Sequence, residues 1–332
     1  MKVAVLTEKG FILKEMEKPL VKDKEVLIRV KAVGICGTDL AIYKRTYKIS
    51  LPRILGHEFT GVVDAVGENV TSVSIGERVT SEINITCGKC YYCTHSMPTH
   101  CMNRTAIGIS RDGAMAEYIA VPEENVHRLP KNIDFDEGTF IEPLAASIQT
   151  FKMSPLKKSD TVAIYGSGKM ALLILQVAKA LGASKVIVIG RNKKKLELAK
   201  KLGADKIIDV TYEDPVNAIK EETYGVGADM VVEATGNPEV LKNAIEMTRS
   251  RGTLALKSTH GISSPLNVTE IVVRELRIQG SRCGDFPPAI KLLKENKIQV
   301  KPLISEVYPL NRITDAFNAA LDSRTIKVIV HP

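Results

Sequence analysis

The second half of the chain alternates between apolar, strand-like runs and helical segments. From Thr161 onward the strand-like runs are "TVAIYG", "VIVIG", "KIIDV", "DMVVEATG", "TLALKS" and "LRIQGS". Helical patterns such as "MALLILQVAKALG" and "KKKLELAKKLG" lie between them. Continuously apolar strands that are separated by helices indicate a parallel sheet covered on both faces. The sequence therefore predicts an α/β domain with a doubly wound parallel sheet.

The first part of the chain has a different pattern. Up to about residue 140, glycines separate short strand-like runs such as "EVLIRVKAVG", "GVVDAVGENV" and "MAEYIAVP", which favour a mostly β domain. The closing segment, 285–332, holds two helical patterns and a final strand, "TIKVIV", which extends the parallel sheet or returns to the first domain. A length of 332 residues suits about two domains, each with its own core.

Composition limits the classes of protein that the chain can belong to. Hydrophobic residues make up 44% and charged residues 25%, as in a soluble globular protein. The start "MKVAVLTEKGFIL" meets charge early, and no apolar run approaches the roughly 18 residues that span a bilayer, so we expect a cytoplasmic protein. The net charge is +8, but 38 acidic residues are scattered among the basic ones, which favours a small anionic ligand over nucleic acid.

Four of the six cysteines lie in one short stretch, "CGKCYYCTHSMPTHC". Cys87, Cys90, Cys93 and Cys101 have the spacing C-x2-C-x2-C-x7-C, which suits a closed tetrahedral zinc site with no open position for a substrate. Disulfides are the first alternative, although a reducing cytosol disfavours them. An iron–sulfur cluster is the second, because its ligand runs also use two-residue gaps. In each case the loop is interpreted as structural.

A glycine-rich turn opens the α/β region in "TVAIYGSGKMALLILQVAKALG". Gly166 ends the strand, Gly168 permits close approach of a ligand, and Ala171 stands at the third position of the G-x-G-x-x-G/A fingerprint. The following helix would present its N-terminus to a pyrophosphate. Lys169 and Met170 belong to the same predicted cofactor loop, where Lys169 either adds charge to the phosphates or is solvated.

The end of the next strand, "VIVIGRNKKK", discriminates between the two nicotinamide cofactors. An NAD enzyme would carry Asp or Glu there to bind the ribose diol, but this chain has Gly190, followed by Arg191 and Asn192. Without the carboxylate a 2′-phosphate is not repelled, and a guanidinium binds it through two hydrogen bonds. NADP is therefore favoured, with NAD as the alternative. Thr235, in "DMVVEATG", completes the predicted cofactor-binding residues.

Two segments of the first domain carry a family resemblance, "GICGTDLAIY" and "LGHEFTGVVDAVGENV". The second fits G-H-E-x2-G-x5-G-x2-V without a gap, and "CGTD", "GHE", "GERV", the four-cysteine loop, "GAMAEYI" and "IEPLAASIQT" follow in family order. The chain resembles the zinc-containing alcohol dehydrogenases of the medium-chain dehydrogenase/reductase superfamily. This resemblance implies a GroES-like, mostly β catalytic domain of residues 1–143 and 283–332. It also implies a Rossmann cofactor domain of residues 144–282, with the active site in the cleft between the domains.

The resemblance also implies a second, catalytic zinc. A catalytic zinc takes about three protein ligands and keeps one open position. Cys36 and His57 would supply two of them, and either Glu58 or Glu142 the third, with exchange between the two carboxylates as a further alternative. Glu142 stands where classical alcohol dehydrogenases carry cysteine, which is similar to the polyol, sugar and threonine dehydrogenases of the family. Asp39 resembles the family carboxylate that orients the histidine ligand.

The resemblance implies a proton relay that this chain carries only in part. Thr38 matches the family hydroxyl that takes the substrate proton. Many members place a histidine five positions after the cysteine ligand, where this chain has Ala41. The proton would then leave through the cofactor ribose and water, or through another side chain such as His260. Cys283 is interpreted as a packing residue.

The leading hypothesis is a zinc-dependent oxidoreductase that transfers a hydride between a secondary alcohol, polyol or sugar and NADP, with two zinc ions per chain. The alternative is a zinc-free reductase of the same superfamily that acts on an activated double bond. A remote alternative is a nucleic-acid-binding zinc protein. The leading hypothesis implies a homodimer or homotetramer and a small-molecule substrate, with no nucleic-acid or membrane partner.

Overall fold

The computed structural model describes residues 1–259 and 261–332, so His260 lies outside the described residues. The strands are β1 Lys2–Thr7, β2 Gly10–Glu15, β3 Glu25–Gly34, β4 Arg53–Ile54, β5 Glu58–Val66, β6 Arg78–Ser81, β7 Asn84–Ile85, β8 Thr105–Ala106, β9 Tyr118–Pro122, β10 Val126–Arg128, β11 Thr161–Tyr165, β12 Lys185–Gly190, β13 Lys206–Asp209, β14 Ala228–Glu233, β15 Thr248–Leu256, β16 Arg277–Gly280, β17 Ile304–Pro309 and β18 Lys327–His331. The helices are α1 Gly37–Tyr43, α2 Tyr91–Thr94, α3 Phe135–Gly138, α4 Ile141–Met153, α5 Lys169–Ala180, α6 Lys193–Lys201, α7 Pro215–Glu222, α8 Leu241–Met247, α9 Val268–Val273, α10 Phe286–Lys294 and α11 Ile313–Leu321.

The chain divides into two compact units. The first unit comprises Met1–Glu142 and Val300–Pro332, and the second comprises Pro143–Gln299. The predicted return of the chain to the first domain lies at residue 283, and the second compact unit ends at Gln299. The side-chain amide of Gln176 on α5 donates to the carbonyl of Gln299 at 3.0 Å and accepts from its N–H at 2.7 Å. These two hydrogen bonds fasten the segment after α10 to the second unit.

The first unit is mostly β, as predicted. Its largest sheet has the order β10-β6-β5-β3-β18-β17, and β9 pairs with β3 as well. The pairs are antiparallel except that of β17 with β18. The final strand of the sequence, β18, therefore belongs to the first unit. Gly34, the last residue of β3, lies opposite Glu58 of β5 on one side and Ile329 of β18 on the other.

The second unit contains a six-stranded sheet of order β13-β12-β11-β14-β15-β16, in which each pair is parallel. Counted along the unit this order is 3-2-1-4-5-6, that of a doubly wound dinucleotide-binding sheet. The predicted fold class is confirmed. The strands are apolar because helices cover them: the buried cluster includes Ile187, Ile189, Val231, Leu254, Ile219 and Ile245.

The order of the strands reverses between β11 and β14, which are neighbours in the sheet. In open α/β sheets, ligands bind outside the carboxyl ends of the strands at such a point. The turn that follows β11 is the glycine-rich loop of the sequence analysis. Among the residues that the structure describes, no helix is long and apolar enough to cross a membrane.

Candidate active site

A buried carboxylate, Asp39, connects the two segments that carry the predicted metal ligands. Cys36 precedes α1, and its N–H donates to Asp39 Oδ2 at 2.9 Å. Asp39 Oδ1 accepts from the N–H of Gly56 at 3.3 Å and lies 3.5 Å from His57 Nδ1. Asp39 is fully buried, so these partners replace water around its charge. One side chain thus fixes the positions of Cys36 and His57 relative to each other.

Three potential metal ligands converge beside Asp39. The Sγ of Cys36, a ring nitrogen of His57 and a carboxylate oxygen of Glu58 lie within 4.8 Å of one another. His57 and Glu58 are buried, and Cys36 is half-buried. Sulfur, nitrogen and oxygen are the donor atoms that zinc takes in proteins, and three protein ligands are typical of a catalytic rather than a structural site.

The electrostatics of this cluster suit a cation. Burial disfavours the charged form of His57, but the charges of Asp39, Cys36 and Glu142 together hold the pKa of this imidazole well above its usual value. Burial raises the pKa of Asp39, and the nearby His57 only partly offsets this. His57 Nδ1 is buried and makes no well-formed hydrogen bond within the described part of the chain. The residues present therefore fit a divalent metal ion, which would neutralise the surrounding negative charges.

Glu142 and Thr38 are the other predicted catalytic residues. Glu142 lies in the first turn of α4, is half-buried, and is near enough for its charge to raise the pKa of His57. It is not among the three residues whose ligand atoms lie within 4.8 Å of one another. Thr38 lies in the first turn of α1, two residues after Cys36. The structure thus brings Cys36, His57 and Glu58 together and places Glu142 beside them.

Lys327, which the sequence pattern does not identify, also contacts this site. Its side chain is fully buried on β18, where its Nζ donates to Glu58 Oε2 and lies 5.1 Å from the ring centroid of Phe140. The sequence feature that could have indicated this residue is a single lysine inside the apolar run "IKVIV". A charged residue in a buried strand requires a partner of opposite charge, although the sequence does not identify that partner.

The four-cysteine loop forms a second potential metal site. The Sγ atoms of Cys87, Cys90, Cys93 and Cys101 lie within 4.8 Å of one another, and all four are free thiols rather than disulfides. The pairs Cys90–Cys93 and Cys87–Cys101 are each 3.5 Å apart. A tetrahedral zinc with Zn–S bonds of about 2.3 Å requires sulfurs about 3.8 Å apart, so the four atoms fit one ion.

The thiol pKa values agree with this interpretation. The N–H of Lys89 is the main cause that lowers the pKa of Cys87 to about 6. Burial, followed by hydrogen bonds with Cys90 and Cys101, raises the pKa of Cys93 to about 11. Some of the thiols thus ionise readily, while burial and the hydrogen bonds from its neighbours keep the Cys93 thiol protonated. A cation is what allows all four to ionise together.

The predicted cofactor loop has the geometry that its glycines require. Gly166 has φ +137°, and a Cβ there would lie 2.6 Å from the carbonyl oxygen of Ala234, so only glycine fits. Gly168 caps α5, and a Cβ at this position would meet no atom within 4 Å. Lys169 and Met170 are the first two residues of α5. The N-terminus of a twelve-residue helix therefore adjoins open space, where it can bind an anion.

The residues after β12 divide into exposed and structural ones. Gly190 ends β12, and the side chain of Arg191 is exposed. Asn192 caps α6, because its side chain accepts from the N–H of Lys195 at 3.2 Å. The local hydrogen bonds of Asn192 explain its presence without a ligand, whereas the exposure of Arg191 leaves its guanidinium accessible to one.

Thr235 follows β14, next to the point where the strand order reverses. Its N–H and its hydroxyl donate to Glu233 Oε1 at 2.7 and 2.6 Å. Ser258 donates to the same carboxylate oxygen at 3.0 Å. Buried Glu233 therefore ties the turn after β14 to the end of β15. The sequence pattern does not reveal this role, because Ser258 is 25 residues away from Glu233.

Comparison with known proteins agrees with this description. The family model "Alcohol dehydrogenase GroES-like domain" matches residues 22–131, and "Zinc-binding dehydrogenase" matches residues 170–295. Sorbitol dehydrogenase of Halalkalibacterium halodurans is 34% identical, with 100% of this chain and 99% of that protein covered. L-threonine 3-dehydrogenase of Bacillus subtilis is 35% identical, with 97% and 95% covered.

Two solved structures are similar over the whole chain. A zinc-binding dehydrogenase from Sinorhizobium meliloti bound to NADP superimposes with a TM-score of 0.94 at 32% identity, and 100% of this chain and 99% of that chain are covered. An alcohol dehydrogenase from Escherichia coli complexed with NADH gives the same TM-score, identity and coverage.

A GroES-like unit with a sulfur, nitrogen and oxygen donor set, together with a Rossmann unit, defines a dinucleotide-dependent dehydrogenase of CH–OH groups. The chain belongs to the zinc-containing alcohol dehydrogenases of the medium-chain dehydrogenase/reductase superfamily, in the branch of the polyol and threonine dehydrogenases. The family resemblance in the sequence is confirmed.

Proposed function

We propose that the chain is a zinc-dependent dehydrogenase that transfers a hydride between a secondary alcohol, polyol or sugar and NADP. The observation that carries this proposal is the convergence of the ligand atoms of Cys36, His57 and Glu58 within 4.8 Å of one another, next to buried Asp39. One sulfur, one nitrogen and one carboxylate oxygen form a donor set that suits a catalytic zinc with an open position.

The chain's own residues have distinct roles in this proposal. Zinc, when bound, supplies Lewis-acid chemistry that lowers the pKa of an alcohol hydroxyl. Cys36 and His57 would hold the ion, together with a carboxylate from Glu58 or Glu142. Asp39 fixes the positions of Cys36 and His57 relative to each other, because one of its carboxylate oxygens contacts Cys36 and the other contacts Gly56 and His57.

Removal of the alcohol proton requires a hydroxyl or a water. Thr38 is in the first turn of α1, next to the ligand Cys36, and we assign its Oγ1 as the first acceptor. The methyl group of Ala41 carries no proton onward. A bound cofactor's ribose and water would then carry the proton onward, and His260, the other candidate, lies outside the described residues.

The choice of NADP rests on Gly190 and Arg191. Gly190 offers no carboxylate to a ribose diol, and the exposed guanidinium of Arg191 follows directly. A guanidinium forms paired, charge-assisted hydrogen bonds with phosphate. The S. meliloti relative was solved with NADP and the E. coli relative with NADH, so similarity alone does not decide between the cofactors.

The substrate class follows from the branch of the family. The relatives named above include a sorbitol dehydrogenase and a threonine 3-dehydrogenase. We propose a secondary alcohol with neighbouring polar groups, such as a polyol or sugar, as the substrate.

The four-cysteine loop would hold the second zinc ion of each chain. Four thiolate ligands complete its coordination shell, which leaves the loop a structural role. Its free thiols need a reducing environment, which supports a cytoplasmic location. We also propose a homodimer or homotetramer, which light scattering on the purified protein measures.

The test combines metal analysis with a substrate panel. We expect about two zinc ions per purified chain, and reduction of NADP by at least one member of a panel of secondary alcohols, polyols and sugars. Removal of the more labile zinc should abolish turnover, and added zinc should restore it. Iron with labile sulfide, or full activity in protein without zinc, would contradict the proposal.

A further inference from the structure

The inference concerns Lys327, whose side chain is fully buried. It stands in β18 beside Val328, Ile329 and Val330, which are themselves buried. Transfer of an ammonium group from water into such a position is costly unless a negative charge compensates it. The compensating group is Glu58, which accepts a hydrogen bond from Lys327 Nζ.

The main chain leaves a space for this ion pair at Gly34. A Cβ on Gly34 would lie 2.0 Å from Lys327 Nζ, 2.2 Å from its Cε and 3.1 Å from Glu58 Oε2. Gly34 is opposite Glu58 in one strand pair and opposite Ile329 in the other. The lysine thus reaches Glu58 across a strand that carries no side chain at this point.

Lys327 contacts two residues near the proposed metal site, Glu58 and Phe140. Glu58 belongs to the group of ligand atoms formed with Cys36 and His57. The ring of Phe140, two residues before Glu142, lies under the ammonium group at 5.1 Å. A metal at this site and Lys327 would therefore be two cations that attract the same carboxylate.

We propose that Lys327 is a positioning residue that holds Glu58 and limits how strongly this carboxylate binds the metal. The inference rests on the proposed metal site. The ammonium group takes one oxygen of Glu58 and repels a nearby cation, so both effects weaken the bond between Glu58 and the metal. A glutamate held in this way can join or leave the metal during turnover, which a carboxylate with no competing cation would resist.

The test uses four variants of the full chain, each with Co²⁺ in place of the more readily exchanged zinc. They are Lys327→Met, Glu58→Gln, the double variant, and Lys185→Met as a matched control. Lys185 pairs with Glu222 at 2.5 Å in the second unit, so its loss removes an ion pair that is remote in sequence from the metal ligands. The readouts are the cobalt absorption spectrum, the rate of metal loss to a chelator, and the rise in melting temperature on metal addition.

We expect Lys327→Met to change the cobalt spectrum, because Glu58 coordinates more fully, and to slow metal loss about tenfold or more, because a cation that repels the metal is removed. The metal-dependent rise in melting temperature should exceed that of the wild type, because without metal Glu58 loses the cation that neutralises it. In the Glu58→Gln background the substitution should leave the spectrum unchanged. Lys185→Met should match the wild type in the spectrum and in metal loss.

Two results would overturn the inference. The first is a Lys327→Met protein with the spectrum and metal-loss rate of the wild type, which would make the lysine purely structural. The second is a spectral change that persists in the Glu58→Gln background. A Lys327→Met protein that folds only when metal is present supports the inference. Failure of both Lys327→Met and the double variant to fold refutes the inference. If wild-type protein binds no cobalt at Cys36 and His57, the proposed function itself fails.

Discussion

Replacement of Asp39 by asparagine tests whether one carboxylate organises the active site. Asp39 uses both oxygens: Oδ2 accepts from Cys36, and Oδ1 faces Gly56 and His57. Asparagine has the same shape but only one acceptor oxygen, and its amide group is a donor. Whichever way the amide is oriented, one of the two ligand segments would face a donor instead of an acceptor.

The structure sets the size of the effect. One charge-assisted hydrogen bond is lost and one buried N–H is left without its acceptor, which costs about 1–3 kcal/mol. The neutral side chain recovers part of this, because burial penalises the carboxylate, as the raised pKa of Asp39 indicates. We expect a loss of stability of about 1–3 kcal/mol, or roughly 2–4 °C in melting temperature per kcal/mol. Metal affinity should fall by about 10- to 100-fold, as for other groups that orient metal ligands.

The assay is thermal unfolding with and without zinc, together with competition against a chelator. Asp112→Asn is the matched control, because Asp112 Oδ1 alone accepts from Ile54 N–H at 3.1 Å and from Arg53 at 3.3 Å. An asparagine keeps this acceptor, so metal affinity should not change. If Asp39→Asn binds zinc as tightly as the wild type, Asp39 does not organise the ligands and the reasoning is wrong.

Three further predictions concern the rest of the molecule. Cys90→Ser should reduce the metal content from about two ions to about one per chain. It should also lower the free energy of unfolding by about 4 kcal/mol or more, as loss of a structural metal does. Zinc analysis and thermal unfolding measure these two effects, and an unchanged zinc content would count against the prediction. Arg191→Ala should weaken NADP roughly tenfold to a hundredfold but spare NAD, because about 1.5–3 kcal/mol of bonding to the 2′-phosphate is lost. Cofactor titration at fixed salt tests this, with exposed Lys194→Ala as the control, and equal weakening of both cofactors would refute it. The hydrogen bond to Asp136 raises the pKa of His331 in the folded protein. The stabilisation from this bond is therefore complete at a pH below the pKa of His331 in the unfolded chain, and it is lost as the pH rises through the pKa in the folded protein. The stability advantage of the wild type over His331→Gln should be larger at about pH 6 than at about pH 9, and an advantage that is independent of pH would contradict this.

Features with a local pattern could be predicted from the sequence. The strands of the second unit are continuously apolar because helices cover both faces, so their pattern identifies them without the structure. The glycines of the cofactor loop are required by a positive φ and by a close approach of the main chain. Glycine is the residue that meets both requirements, so the loop can be recognised in the sequence. The spacing of the four cysteines likewise brings their thiols together within one loop.

Features that depend on distant contacts could not be predicted. Lys327 is 269 residues from Glu58 in sequence, and only the pairing of β18 with β3 brings them together. The hydrogen bonds between Gln176 and Gln299, 123 residues apart, join the segment after α10 to α5. In both cases the sequence contains the residue, but the partner is chosen by the tertiary fold.

The absence of a side chain at Gly34 also has an evolutionary consequence. Because a Cβ at this position would occupy the space of the Lys327 ammonium group, an alanine at position 34 would require this ammonium group to move or to be lost. Either change would disturb the pairing of Lys327 with Glu58. The three positions should therefore vary together among descendants of this protein, and a sequence that keeps Glu58 with alanine at position 34 would have to neutralise that carboxylate from another direction.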